Sequence, residues 1–151
     1  MTLFSWGSRL AGVACAAILV QSFAVAPLTA QTDVVAERSA AMKAIGDQMK
    51  VFVPIAKGEQ PFDAAKVKAA ADIVLTELTR AETLFPAGST GGRALPAIWE
   101  KPEEFAQGFE NAKKAAADLA AATSKDQFDV AFKAMGGTCG ACHQTYRKPE
   151  N

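Results

Sequence analysis

Residues 124–147 read SKDQFDVAFKAMGGTCGACHQTYR, and this stretch decides the fold. Phe128, Ala131, Phe132, Met135, Cys139, Cys142 and Tyr146 recur at threes and fours, the spacing of one helical face. Ser124 followed by Gln127 has the spacing of a capping box, so a last helix is predicted to open there. Working towards the N-terminus, Pro102 is a good first-turn residue. A third helix is predicted from it through Phe105, Phe109, Ala112, Ala116 and Leu119 to about Ala122. Gly88, Gly91 and Gly92 make the segment between Pro86 and Pro96 a loop. Asp63 offers an N-cap for a second helix, whose stripe is Val67, Ala70, Ala71, Val74, Leu75 and Leu78, ending near Glu82. The first helix is predicted from Val34 to about Val53, carrying Ala41, Met42, Ile45, Met49 and Phe52, with Pro54 and Gly58 as its stop. No segment alternates apolar and polar residues over strand length. Four such helices on moderate loops predict an all-α, antiparallel four-helix bundle.

Composition agrees. The chain has 151 residues, half of them hydrophobic, and 16 Lys+Arg balance 16 Asp+Glu. That length suits one domain. The balance leaves no basic excess for a nucleic-acid partner, and the apolar content excludes a disordered chain. Met1 to Ala30 contains Arg9 and no acid, with an apolar run from Leu10 to Ala26 broken only by Gln21 and Ser22. It ends on Pro27-Leu28-Thr29-Ala30, which reads as a cleaved secretory signal peptide over 1–30, with Ala26 a rival cut. Cys15 would leave with it. Residues 31–151 then form the single domain, with no stable membrane insertion. An uncleaved membrane anchor is the bland alternative. Export places Cys139 and Cys142 where free thiols do not persist.

Those two cysteines belong to Cys139-Gly140-Ala141-Cys142-His143. Cys-x-x-Cys-His is the attachment signature of a c-type haem. Positions three apart share a helical face, so both sulfurs can reach one porphyrin edge, and the next residue brings an imidazole beneath the iron. Gly136-Gly137 are expected to let the macrocycle approach the backbone. Structural zinc needs about four ligands. A thioredoxin-like pair wants a βαβ unit. A disulfide between the two cysteines would close a tiny, strained loop.

The motif sits in the last helix, and the chain at this point resembles the class II cytochrome c family, which holds the cytochromes c prime and their low-spin relatives. The resemblance rests on Arg38-x-x-x-Met42-Lys43, Ala56-Lys57-Gly58-Glu59 with Pro61-Phe62-Asp63, Leu84-Phe85-Pro86 with Gly88, Ile98-Trp99, and Gly136-Gly137-Thr138 running into the motif and on to Tyr146-Arg147. It implies one covalent haem c inside the bundle, a periplasmic location and often a homodimer through the first two helices. It also implies an electron carrier or a gas-binding protein rather than an enzyme.

His143 is the expected proximal ligand. Of the methionines, Met135 lies eight residues before His143 on the same helix, roughly 12 Å along the axis, and cannot easily reach the opposite haem face. Met42 and Met49 lie one heptad apart on the first helix. By the resemblance, Met42 holds the distal position: as sixth ligand it makes an electron carrier, and as a mere steric block it leaves iron open to nitric oxide or carbon monoxide. A methionine in an apolar stripe is more often simply core. No histidine remains as a distal acid or base, which argues against a peroxidase. Arg38 is expected at a haem propionate or on a solvated face. Arg147, four residues after His143, stands beside the imidazole or acts as a helix-terminal cation. Tyr146, Phe132 and Trp99 are expected to pack. Lys43, Lys50, Lys113 and Lys114 are too spread to mark a docking patch, so redox partners stay unnamed. A membrane-tethered haem subunit of an oxidoreductase is a more distant alternative, requiring an uncleaved N-terminus.

Overall fold

A computed structural model describes residues 28–149, with side chains from residue 33. Over them the chain forms helices α1 (Leu28–Ala56), α2 (Ala64–Glu82), α3 (Ala97–Glu100), α4 (Pro102–Ala120) and α5 (Lys125–Tyr146). The four long ones make the antiparallel bundle expected from the periodicity. Most of the expected signal segment, residues 1–27, lies outside the described residues. Helix α1 starts at Leu28, so a cut after Ala30 would remove its first three residues.

The caps explain most boundaries. The Asp63 carboxylate accepts from the Lys66 amide at 3.1 Å and opens α2. Pro102 supplies the first turn of α4, where its missing N–H costs nothing. Ser124 Oγ accepts from the Gln127 amide at 3.3 Å. The reciprocal half of the capping box is displaced by one residue: Gln127 Oε1 accepts from the Thr123 amide at 2.8 Å rather than from Ser124.

Helix α1 begins six residues before the expected Val34, and two further expectations change. Pro54 does not stop α1, which runs on to Ala56 with Pro54 inside its last turn. There it removes one helical donor while its fixed φ still suits a helix. The stop comes at Gly58, whose φ of 75° only glycine adopts readily, and the Glu59 and Gln60 amides fold back onto the Pro54 carbonyl. The second change is α3, a single turn unseen in the sequence. It buries Ile98 and holds Trp99 half-buried, with the indole N–H donating to the Pro86 carbonyl at 3.0 Å.

Packing is uneven around the bundle. Helix α1 lies on α2, α2 on α4 and α4 on α5. The backbones of α5 and α1 diverge, and these two helices meet at one end, where Phe52 packs on Phe128 and Phe132. The core between the closed pairs is built on Phe52, Phe128, Leu119, Met135, Val67 and Val74, all essentially inaccessible. Phe52, Phe62, Phe128 and Phe132 form one aromatic cluster, and Phe85, Phe105, Phe109 and Tyr146 another. The open α1–α5 seam explains why Val35, Met42, Met49, Cys139 and Cys142 stay half-buried although they sit on apolar faces. Among the described residues no helix is long and apolar enough to cross a membrane.

Candidate haem site

A cavity of about 590 Å³ fills the seam, a size ordinary for a cofactor pocket. One wall comes from α5. Cys139, Cys142, His143 and Tyr146 are spaced by three and four, so the helix turns all of them to the same side. Opposite stand Met42, Ile45, Gly46 and Met49 of α1, while Phe105, Gly108 and Phe109 of α4 and residues 91–94 of the loop complete the enclosure.

The five site residues expected from the sequence, Cys139, Cys142, His143, Arg38 and Met42, all line this cavity. Met135 does not; it is 1% exposed and packs in the core. Gly136 and Gly137 correct an expectation, because both are exposed and neither belongs to the wall. Two residues from Cys139, Gly137 falls on the far side of a helix turning 100° per residue. The glycines of the helical wall are instead Gly46 of α1 and Gly108 of α4.

Arg38 is not on a solvated face. It is 7% exposed, and its Nε donates to the Leu84 carbonyl at 2.7 Å. Nη2 donates to the Ser89 carbonyl at 2.8 Å and to the Ser89 hydroxyl. The guanidinium carbon stands 4.3 Å from the Phe85 ring centroid and 5.6 Å from that of Trp99. Burial lowers its pKa, yet a guanidinium remains charged. Nη1 is buried with no partner, and the cavity wall contains no Asp or Glu. An uncompensated buried cation is costly. A haem propionate is the anion that would complete it.

Burial pushes the Cys139 thiol up, and burial with Cys139 nearby does the same to Cys142. Neither is in a disulfide. The His143 imidazole is held below its usual range by burial first, then by Arg147 and Arg93, which favours the neutral, iron-binding form. Arg147 lines the cavity beside it, and its amide donates to the His143 carbonyl at 3.2 Å. Tyr146 is buried edge-on to Phe105, centroids 5.0 Å apart. Phe132 packs on Phe52 and Phe128, outside the wall.

Two thiols three residues apart, a neutral imidazole, an apolar slot and an unpartnered guanidinium nitrogen therefore fit a covalent haem. Sequence reasoning missed Ser89 and the loop carrying Arg93. Glycine content marked that loop but not its docking: Gly92 has φ 57°, and an added Cβ would stand 2.8 Å from Val35 Cγ1.

Comparison with known proteins follows the same line. The cytochrome c' family model matches residues 33–147. Cytochrome c-556 of Agrobacterium fabrum is 43% identical over 116 residues, spanning 75% of this chain and 80% of its own. Cytochrome c' of Rhodopseudomonas palustris is 39% identical over 145 residues, 92% of this chain and 95% of its own. The reduced structure of an arginine-to-alanine variant of cytochrome c' from Alcaligenes xylosoxidans superposes with a TM-score of 0.75 at 30% identity, covering 79% of this chain and 97% of that one. A nitric oxide complex of a leucine-to-alanine variant of the same cytochrome gives 0.75 at 31% identity, over 80% and 97%. The chain thus belongs to the cytochrome c' family of class II c-type cytochromes, four-helix bundles that bind covalent haem c.

Proposed function

We propose that this cytochrome is exported to the periplasm, with residues 1–30 as a cleaved signal, and carries single electrons on one haem. Cys139 and Cys142 form the thioethers, His143 is the proximal ligand and Met42 the distal one. The observation that carries this reading is the placement of the Met42 thioether in the same cavity as His143, on the opposing helix, with Met135 excluded. The haem iron supplies the one-electron couple, and a thioether ligand raises its potential. The protein's part is to hold geometry. His143 and Met42, carried on packed helices, would hold the iron with little movement between oxidation states, and the unpartnered Arg38 Nη1 would orient and neutralise a propionate. The apolar lining excludes water. The described wall holds no Asp or Glu, and its one imidazole, that of His143, would be taken up by iron.

The relatives favour a second reading. Several carry the name cytochrome c', and a leucine-to-alanine variant of the Alcaligenes protein has been solved with nitric oxide bound. In that case Met42 only blocks a five-coordinate iron that takes up nitric oxide or carbon monoxide. Electron paramagnetic resonance of the ferric holoprotein and of Met42→Ala separates the two. A low-spin signal lost in the variant supports the ligand. A high-spin signal in both, responsive to nitric oxide, moves the function to gas binding. A pairing of copies through α1 and α2 belongs to the same proposal, and sedimentation equilibrium tests it.

A further inference from the structure

The turn that carries His143 is clamped. Helix α5 ends at Tyr146, so His143 lies in its last turn, where carbonyls lack helical partners and fraying begins. Residues 93–95 run antiparallel to 146–148 around an Ala94–Arg147 bridge. The Lys148 amide donates to the Arg93 carbonyl at 2.8 Å, and the Leu95 amide to the Tyr146 carbonyl at 3.0 Å. The Arg93 side chain closes the arrangement, with Nε at 3.2 Å and Nη2 at 2.8 Å both donating to the Lys148 carbonyl. Lys148 Nζ donates to the Gly92 carbonyl at 3.3 Å. The Arg147 amide joins this clamp directly to the carbonyl of His143.

We propose that Arg93 is a positioning residue for His143: by gripping the Lys148 carbonyl it stills the last turn of α5 and keeps the imidazole aimed into the cavity. This rests on the reading of His143 as iron ligand. Thioethers at Cys139 and Cys142 would fasten the haem to α5 irrevocably, whereas the imidazole would be aimed by a terminal turn. A clamp from another part of the chain supplies the rigidity that the turn lacks.

His143 is the only histidine, so nitrogen-15 histidine labelling of the reduced holoprotein gives ring signals from it alone. Wild type is compared with Arg93→Ala and Arg93→Gln; glutamine puts an amide nitrogen where Nε stands, without the charge. In Arg93→Ala, exchange of the Arg147 and Lys148 amides is expected to rise roughly ten-fold. The His143 ring signal should broaden or split with it, and Arg93→Gln should fall between the two. An unchanged ring signal in Arg93→Ala overturns the proposal even if the amides exchange faster. So does an Arg93→Gln variant identical to Arg93→Ala, which would make lost charge the cause. Should Arg93→Ala not accumulate, Arg93→Gln against wild type decides, and a wild-type ring signal overturns the proposal. A wild-type ring signal without any iron-induced shift overturns the ligand reading as well, and is visible before any variant is compared.

Discussion

Replacing Arg38 with methionine keeps the aliphatic bulk and removes the guanidinium from its buried seat. Three acceptors lose their donor: the Leu84 carbonyl, the Ser89 carbonyl and the Ser89 hydroxyl. The hydroxyl keeps its own bond to the Pro86 carbonyl at 2.6 Å, so the two carbonyls carry most of the cost. A buried acceptor left unpaired costs about 1–3 kcal/mol. Contact of the guanidinium with Phe85 adds about 1 kcal/mol. Removing a buried cation relieves some desolvation, which offsets part of the total. The net expectation is a holoprotein less stable by about 3 kcal/mol, or a urea midpoint lower by about 2 M if the slope is near 1.5 kcal/mol/M. Equilibrium urea unfolding followed by far-ultraviolet circular dichroism measures it. Arg38→Lys keeps the charge but cannot fork to Leu84 and Ser89 together, so it should recover about half. A change below about 0.5 kcal/mol in Arg38→Met would refute the buried network, since that is what a solvated surface site gives. Full recovery in Arg38→Lys would refute the fork and leave charge alone.

Phe128→Ala, at 0% exposure between Phe52, Phe62 and Phe132, should cost about 3–5 kcal/mol in the same unfolding assay. Gly92→Ala should cost more than Gly88→Ala: both have positive φ, but only at Gly92 does the new Cβ meet Val35 Cγ1, at 2.8 Å. Thermal melts of the pair check the order, and equal losses would show the loop free to move off α1. Hydrogen bonds from Lys43 first, then Lys50, hold the Asp47 carboxyl at about 2, below its ordinary 3.8. Because the folded pKa is depressed, this contribution is full above pH ~4 and fades as pH falls towards ~2. Asp47→Asn should slightly flatten stability against pH in that window alone, the ion pairs with Lys43 and Lys50 lying at the solvent-screened surface.

Much of the bundle was legible because apolar periods, Asp63, Pro102 and Ser124 all act locally. Pro54 misled because its penalty depends on position, and in a final turn one absent N–H is tolerable. α3 was invisible because a single turn has no period, and tertiary packing of Ile98 and Trp99 holds it. At the site, the shared face of Cys139, Cys142 and His143 was readable from spacing alone. The burial of Arg38 was not, since its partners Leu84 and Ser89 lie 46 and 51 residues away. The clamp from Arg93 to Lys148 spans 55 residues and leaves no local pattern either.

The measurement that bears most directly on the account is the ferric electron paramagnetic resonance and optical spectrum of the holoprotein beside that of Met42→Ala. The account predicts a low-spin, six-coordinate iron in the native protein, unreactive to added nitric oxide, becoming high-spin and reactive when Met42 is removed. A native spectrum that is already high-spin and binds nitric oxide would contradict it and make Met42 a wall of a gas-binding pocket.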